Sequence, residues 1–300
     1  MTPGTVLIAG TSGNFGRHAA RAFAAAGWTV RRYRRGTDMG AAAEGCDVIV
    51  NGLNPPMYHN WAVLIPRITA QVIAAARSSG ATVLVPGTVY VYGDTPGPWH
   101  EDTPHRFTAR KGRIRSEMEA AYQRAVDEDG LRVILLRAGD FLDPGNPGTL
   151  MDMLVLRRIA RGKMMATGTP TAPRAYAYLP DMARAAVALA ERRAALAPYE
   201  EVNMPGLTFS IEDLRAEIAA QTGRRPAMTR FPWLLLRLAA PFHELSREML
   251  EMRYLHDLPH RMAGDTFHRL LPGFGATPLS RIVTEELAAL AGGQGRLRAA

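Results

Sequence analysis

Five apolar runs of strand length lie in the first half of the chain: Thr5–Ala9, Trp28–Tyr33, Val48–Val50, Thr82–Val85 and Arg132–Leu136. They are rich in Val, Ile and Leu and lack polar alternation, as strands buried on both faces of a parallel sheet do. Segments Gly13–Ala26, Trp61–Ser79 and Ile114–Glu128 lie between them, each long enough for a helix. This alternation predicts an α/β fold, a Rossmann-type doubly wound parallel sheet covered by helices on both sides. After residue 138 the rhythm changes. Pro144, Gly145, Pro147 and Gly148 mark a long loop, and helices expected at 181–193, 210–222, 232–255 and 279–291 are no longer separated by regular strands. The tail from Gly292 onward is expected to fray.

Composition narrows the class. Three hundred residues at 47% hydrophobic and 21% charged can bury a sizeable core, which excludes disorder as the main state. The 36 basic and 28 acidic side chains leave +8, but the arginines are spread along the chain, so neither a nucleic-acid nor a membrane partner is expected. Cys46 is the only cysteine, which excludes an internal disulfide and a cysteine-containing zinc cluster and points to a reducing, cytoplasmic setting. Arg237 interrupts the richest apolar run, Trp233–Ala240, which is read as core or the face of a homodimer.

The first chemical signal follows the first strand. Gly10-Thr11-Ser12-Gly13-Asn14-Phe15-Gly16 leads into a helix-forming run, Arg17 to Ala26. Glycines permit a tight strand-to-helix turn and close backbone approach to a pyrophosphate, while the free N–H groups of the helix face the anion. The spacing is G-x-x-G-x-x-G rather than G-x-G-x-x-G. A dinucleotide site at this turn is expected. Where an NAD site offers an acid at the end of strand 2, this chain has Arg31, Arg32, Arg34 and Arg35 around Tyr33, and its first acid is Asp38. Guanidiniums suit a 2′-phosphate, so NADP(H) is the expected cofactor, with an exposed basic loop as the competing reading. The expected division is a dinucleotide-binding domain at 1–138, to which 174–203 return. A smaller, mostly helical substrate domain takes 139–173 and 204–300.

Further segments resemble the extended branch of the short-chain dehydrogenase/reductase superfamily, the NAD(P)-dependent epimerases, dehydratases and reductases. Asp47-Val48-Ile49-Val50-Asn51-Gly52-Leu53-Asn54 is similar to its third-strand segment, and the resemblance places Leu53 and Asn54 against the cofactor. Pro86 to Gly93 resembles S-S-x-x-V-Y-G, Leu136 to Phe141 resembles R-P-G-N-V-Y, and Arg174 to Ala183 resembles R-D-x-x-x-V-x-D-x-A. The resemblance implies a hydroxyl donor to substrate at Thr88, with Tyr90, Tyr92, Arg174 and Tyr176 as substrate-side candidates. The competing readings are strand-end packing for Tyr90 and Tyr92 and a structural ion pair for Arg174 and Tyr176.

The family's Y-x-x-x-K pair is missing. Lys111 stands in the Tyr position and Arg115 in the Lys position. The run from Lys111 to Ala120 is similar to K-x-x-I-R-x-x-I-E-A of the atypical isoflavone-reductase-like enzymes, in which that lysine is the proposed general base. Lys111 and Arg115 lie one helical turn apart, where one cation can lower the other's pKa. The alternative reading is a solvated basic helix start. Pro259 separates His256 from His260, and no metal site is expected. The main expectation is an oxidoreductase reducing a small carbonyl-bearing substrate with NADPH. A non-catalytic NADP(H) sensor is the alternative, and a nucleotide-sugar epimerase or dehydratase ranks third because of the missing tyrosine.

Overall fold

The computed structural model describes residues 3–146 and 148–298, with side chains through Leu290. Its first half alternates β1 (Thr5–Ala9), α1 (Asn14–Ala25), β2 (Thr29–Arg32), α2 (Met39–Ala43), β3 (Val48–Asn51), α3 (Trp61–Ser79), β4 (Thr82–Thr88), α4 (Arg110–Asp129) and β5 (Val133–Ala138). The second half holds β6 (Asp140–Leu142), β7 (Lys163–Ala166), β8 (Arg174–Tyr178), α5 (Leu179–Glu191), β9 (Tyr199–Asn203), β10 (Leu207–Phe209), α6 (Ile211–Thr222) and β11 (Ala227–Arg230). It closes with α7 (Trp233–Ala239), α8 (Glu244–Glu251), α9 (Tyr254–Asp257), α10 (Asp265–Leu270) and α11 (Leu279–Arg298).

Six strands form one parallel sheet in the order β2-β1-β3-β4-β5-β9. Alternate residues along β1, β3, β4 and β5 enter different cores, whereas edge strand β2, read from sequence as buried on both faces, is mostly exposed. Val6, Ile8, Val48, Val50, Ile134 and Leu136 pack with α1 and α5 on one face. On the other, Leu7, Ala9, Ile49, Val83, Val133 and Leu135 pack with α3 and α4. Burial on both faces is the reason these strands show no polar alternation. The chain passes from β2 back across β1 to β3, so the loops leaving β1 and β3 diverge. A crevice opens between them at the carboxyl ends of the strands, where open α/β sheets bind their ligands.

The C-terminal half is mostly helical, as expected, with short strands added. Strands β6, β8 and β10 make a three-stranded sheet and β7 pairs with β11, all in runs of three to five residues. β8 belongs to this smaller sheet, whereas α5 and β9 return to the large one. The single helix expected at 232–255 is three. Pro241 has no N–H to donate and ends α7, and the His243 side chain accepts from Ser246 N to start α8. Leu234, Leu235 and Leu238, read from sequence as core or a dimer face, are exposed, which excludes the core reading. The backbone of α11 stays helical through the tail expected to fray, and Pro147 lies outside the described residues. Among the described residues no helix is long and apolar enough to cross a membrane.

Candidate active site

The β1–α1 turn is closed by backbone. Gly10 sits at φ +86, where a Cβ would stand 2.6 Å from Gly52 O, and a Cβ at Gly16 would stand 2.2 Å from Gly10 O. These two glycines therefore press α1 and the end of β3 onto β1. Gly13, the residue before α1, has more room, its nearest neighbour being Gly10 O at 3.2 Å. Ser12, Gly13, Asn14 and Phe15 line a cavity of about 520 Å³, while Gly10, Thr11 and Gly16 support it from behind. Asp143, Asn146 and Gly148 strap this turn. Asn14 donates to Gly148 O at 2.9 Å and accepts from Asn146, and Asp143 takes both Arg17 and His18.

The cavity runs past Leu53 and Asn54 to the end of β4, where Thr88 faces it. The Thr88 Oγ1 is buried with no hydrogen-bond partner among the described residues, so a donor stands ready for an oxygen of a bound molecule. Beside it the phenols of Tyr58 and Tyr90 lie 3.3 Å apart. Burial pushes Tyr58 up to about 12 and raises Tyr90 as well. Tyr58 belongs to a turn in which Met57, Tyr58 and Asn60 all adopt left-handed backbone, with φ of 52, 61 and 47. Such positions cost on the order of 1 kcal/mol each unless the surroundings enforce them. Here Trp61 Nε1 donates to Pro55 O at 3.0 Å, and Glu244 of α8 accepts from Asn60 N and pairs with His59.

Arg115 closes the cavity floor. It donates to Asn54 Oδ1 at 2.7 Å, and its guanidinium lies 4.5 Å from the Trp61 ring centroid. Burial pulls its pKa below the usual arginine value, but a guanidinium still does not exchange its proton near neutrality. Opposite, at the start of β6, Asp140 lines the same cavity. Burial raises the Asp140 pKa, and the Arg174 charge lowers it by less.

Several sequence-read residues lie elsewhere. Lys111 does not line the cavity; its side chain is 2% exposed, its Nζ pairs with Glu248 and Glu251 of α8, and it lies 4.9 Å from the Tyr58 ring centroid. Neither a solvated face nor an open proton donor describes it. Tyr92 is fully buried and stacks on Trp99 at 4.9 Å, with the Arg137 guanidinium above it. Tyr176 stacks on Phe209 in the smaller core. Arg174 is buried, with Nη1 2.8 Å from His256 Nδ1. Of the four substrate-side candidates only Tyr90 reaches the cavity. Arg31 turns back to Glu44 O and the Cys46 thiol. Arg32, Arg34 and Arg35 are exposed, and among the described residues no ion pair occupies their guanidiniums. Asp38 caps α2 through Gly40 and Ala41.

This turn, crevice and hydroxyl lie together at the carboxyl ends of a doubly wound parallel α/β sheet. Residues 65–204 match the family model described as NAD dependent epimerase/dehydratase family, and the fold is shared with solved epimerases and a dehydratase. Among solved structures it is similar to MoeE5 in complex with UDP-glucose and NAD, with 18% identity and a TM-score of 0.77 over 97% of this chain and 100% of that one. It is similar to the UDP-glucuronic acid 4-epimerase from Bacillus cereus in complex with UDP-glucuronic acid and NAD, at 15% identity and TM-score 0.77 over 96% and 99% of the two chains. TunA, an NAD-dependent NDP-hexosamine 5,6-dehydratase of tunicamycin biosynthesis, shares 18% identity at TM-score 0.73 over 96% and 98%. No curated protein matches in sequence.

Proposed function

We propose that the protein is an NAD(P)-dependent enzyme acting on the sugar of a nucleotide sugar, an epimerase or dehydratase rather than a reductase of small carbonyls. The observation that carries this reading is the single cavity joining the β1–α1 turn to the unpartnered Thr88 hydroxyl and on to the smaller lobe at Asp140. At about 520 Å³ it falls within the range of small-molecule sites. Two structures that it resembles over almost their whole length hold a UDP-sugar with NAD, which favours the reading that the missing tyrosine had placed last.

The residues present fit a dinucleotide. The cradle of Gly10 and Gly16 has no space for a Cβ, and the start of α1 carries no acidic side chain to repel a pyrophosphate. Ser12, Gly13, Asn14 and Phe15 would hold the pyrophosphate, and Leu53 and Asn54 the following ribose. Such a cofactor, when bound, supplies a reversible hydride acceptor. Thr88 donates a hydrogen bond to the substrate oxygen and stabilises the charge that develops there. Arg115 keeps Asn54 and Trp61 in place. Arg32, Arg34 and Arg35 give the 2′-phosphate of NADP(H) its partners. Lys111 ties α4 to α8 and supports the Tyr58 ring.

The test combines binding and turnover. Titration of the purified chain with NADH and NADPH, read by nicotinamide fluorescence, should show saturation. Incubation with NAD⁺ or NADP⁺ and UDP-glucose or UDP-glucuronic acid, followed by NMR of the sugar, should show inversion or loss of water. Cofactor binding with no sugar change across a panel of nucleotide sugars would overturn the enzymatic reading in favour of a dinucleotide sensor.

A further inference from the structure

The described residues that line the cavity include only four ionisable side chains: Tyr58, Tyr90, Arg115 and Asp140. Arg115 retains its proton. The two phenols face each other 3.3 Å apart, and burial disfavours a phenolate at both. Lys111, the residue in the family's tyrosine position, is turned to α8 and paired with Glu248 and Glu251. That leaves one carboxylate. Among the described residues no hydrogen bond or ion pair engages the Asp140 side chain; its environment is burial and the more distant charge of Arg174 on β8. Tyr58, Tyr90 and Tyr176 face it from the neighbouring turns and from β8. Asp140 occupies the Asn position of R-P-G-N-V-Y, so the chain has a carboxylate where that motif has an amide and lacks the phenol where the family keeps one.

We propose that Asp140 is the catalytic base and acid of this site, taking the proton of a sugar hydroxyl and returning it. The inference rests on the reading of the protein as a nucleotide-sugar enzyme. In the oxidising step the sugar O–H bond breaks and its proton passes to an Asp140 carboxylate oxygen. The adjacent C–H bond breaks with its electron pair, which leaves as hydride to an oxidised nicotinamide dinucleotide, and the carbon–oxygen double bond that forms is held by the Thr88 hydroxyl. The reverse step uses the same proton and the same hydride on either face of the sugar. A carboxylate raised from its ordinary range suits both directions. Tyr58 and Tyr90, bonded to each other, wall the site and exclude water.

Asp140→Asn, which restores the motif's residue at nearly the same volume, tests this with two readouts. The first is infrared titration of the protein without added ligand. The wild type minus variant difference should contain a protonated-carboxyl stretch that persists above the ordinary aspartate range, since signals from Glu201 and Glu286 cancel. A difference spectrum without that stretch overturns the proposal. The second is reduction of NAD⁺ or NADP⁺ by UDP-glucose or UDP-glucuronic acid, which the variant should slow about 10²- to 10⁴-fold, removing the acidic limb of the pH profile while Tyr58→Phe keeps it. A variant that turns over at the wild-type rate overturns the role of Asp140 and leaves the proposed function standing. Wild-type protein that binds the cofactor but is inert to every nucleotide sugar overturns both.

Discussion

Lys111 Nζ lies 2.8 Å from Glu251 Oε2, across the junction between α4 and α8. Burial opposes ionisation of Glu251, but the hydrogen bond and charge of Lys111 outweigh it and hold the carboxyl below its usual range. Glu248 completes the triad and also binds Arg110. Removing the lysine leaves Glu248 and Glu251 with the exposed Arg110 as their remaining partner, so Lys111→Ala should destabilise the protein by about 1–3 kcal/mol. Lys111→Arg, which keeps the charge, should recover part of that. Chemical denaturation of both variants reads the effect. Unaltered stability with lost turnover would return Lys111 to the catalytic chemistry.

The glycine turn predicts unequal sensitivity. Gly16→Ala puts a methyl group 2.2 Å from Gly10 O, against backbone that cannot yield, whereas at Gly13 the same group meets Gly10 O at 3.2 Å. Overpacking of this kind costs about 1–3 kcal/mol. Gly16→Ala should therefore abolish or strongly weaken binding in fluorescence titration with NADH or NADPH, and Gly13→Ala should weaken it less than about ten-fold. The reverse order would contradict the cradle.

The large sheet was legible because both-face burial leaves Val, Ile and Leu runs with nothing else to be, and α3 was read at its observed bounds, Trp61–Ser79. The smaller sheets were not. β6 and β10 have three residues each, too few for a period to show, and they exist because partners distant in sequence pair with them. Site residues divided in the same way. Local signals pointed to the β1–α1 turn and the family resemblance to Thr88, and both line the cavity. Asp140 was quoted within its motif but assigned no role, because its chemistry comes from burial beside Tyr58 and Tyr90, residues 82 and 50 positions earlier in the chain. The departure from Asn at that motif position was the available signal. Lys111 was misplaced because its carboxylate partners lie in α8, some 140 residues away.

The proposed use of NADP(H) makes a prediction about which arginines matter. Arg31 is held by Glu44 O and Cys46, but Arg32, Arg34 and Arg35 extend from the end of β2 without competing ion pairs among the described residues. A charge-assisted hydrogen bond contributes about 1.5–3 kcal/mol, so alanine at one or two of these three positions should weaken NADPH roughly ten-fold or more and leave NADH unchanged. Arg31→Ala should spare both. Calorimetric titration of each variant with the two cofactors checks this, and equal affinity of the wild-type protein for NADH and NADPH would remove the arginines from the site.

The strap over the cofactor turn should respond to pH through Glu286. Burial, then the charge of neighbouring Asp152, pushes its pKa from 4.5 up to about 7, while the Gly145 N–H that it accepts at 3.1 Å works in the opposite direction. Asp143 also raises it from the same loop. The sign follows from proton binding. Between pH 4.5 and about 7 the unfolded chain has released this proton and the folded chain retains it, so stability falls as pH rises through that window. The contribution is fully present below 4.5 and absent above about 7. One pKa unit corresponds to about 1.4 kcal/mol, and for a coupled acid pair the loss is on the order of 2 kcal/mol. Glu286→Gln, neutral at every pH, should flatten this part of the stability curve and keep the contact to Gly145 at pH 8. Denaturation midpoints of the two proteins across the window decide it, and parallel curves would show that Glu286 ionises normally in the folded protein.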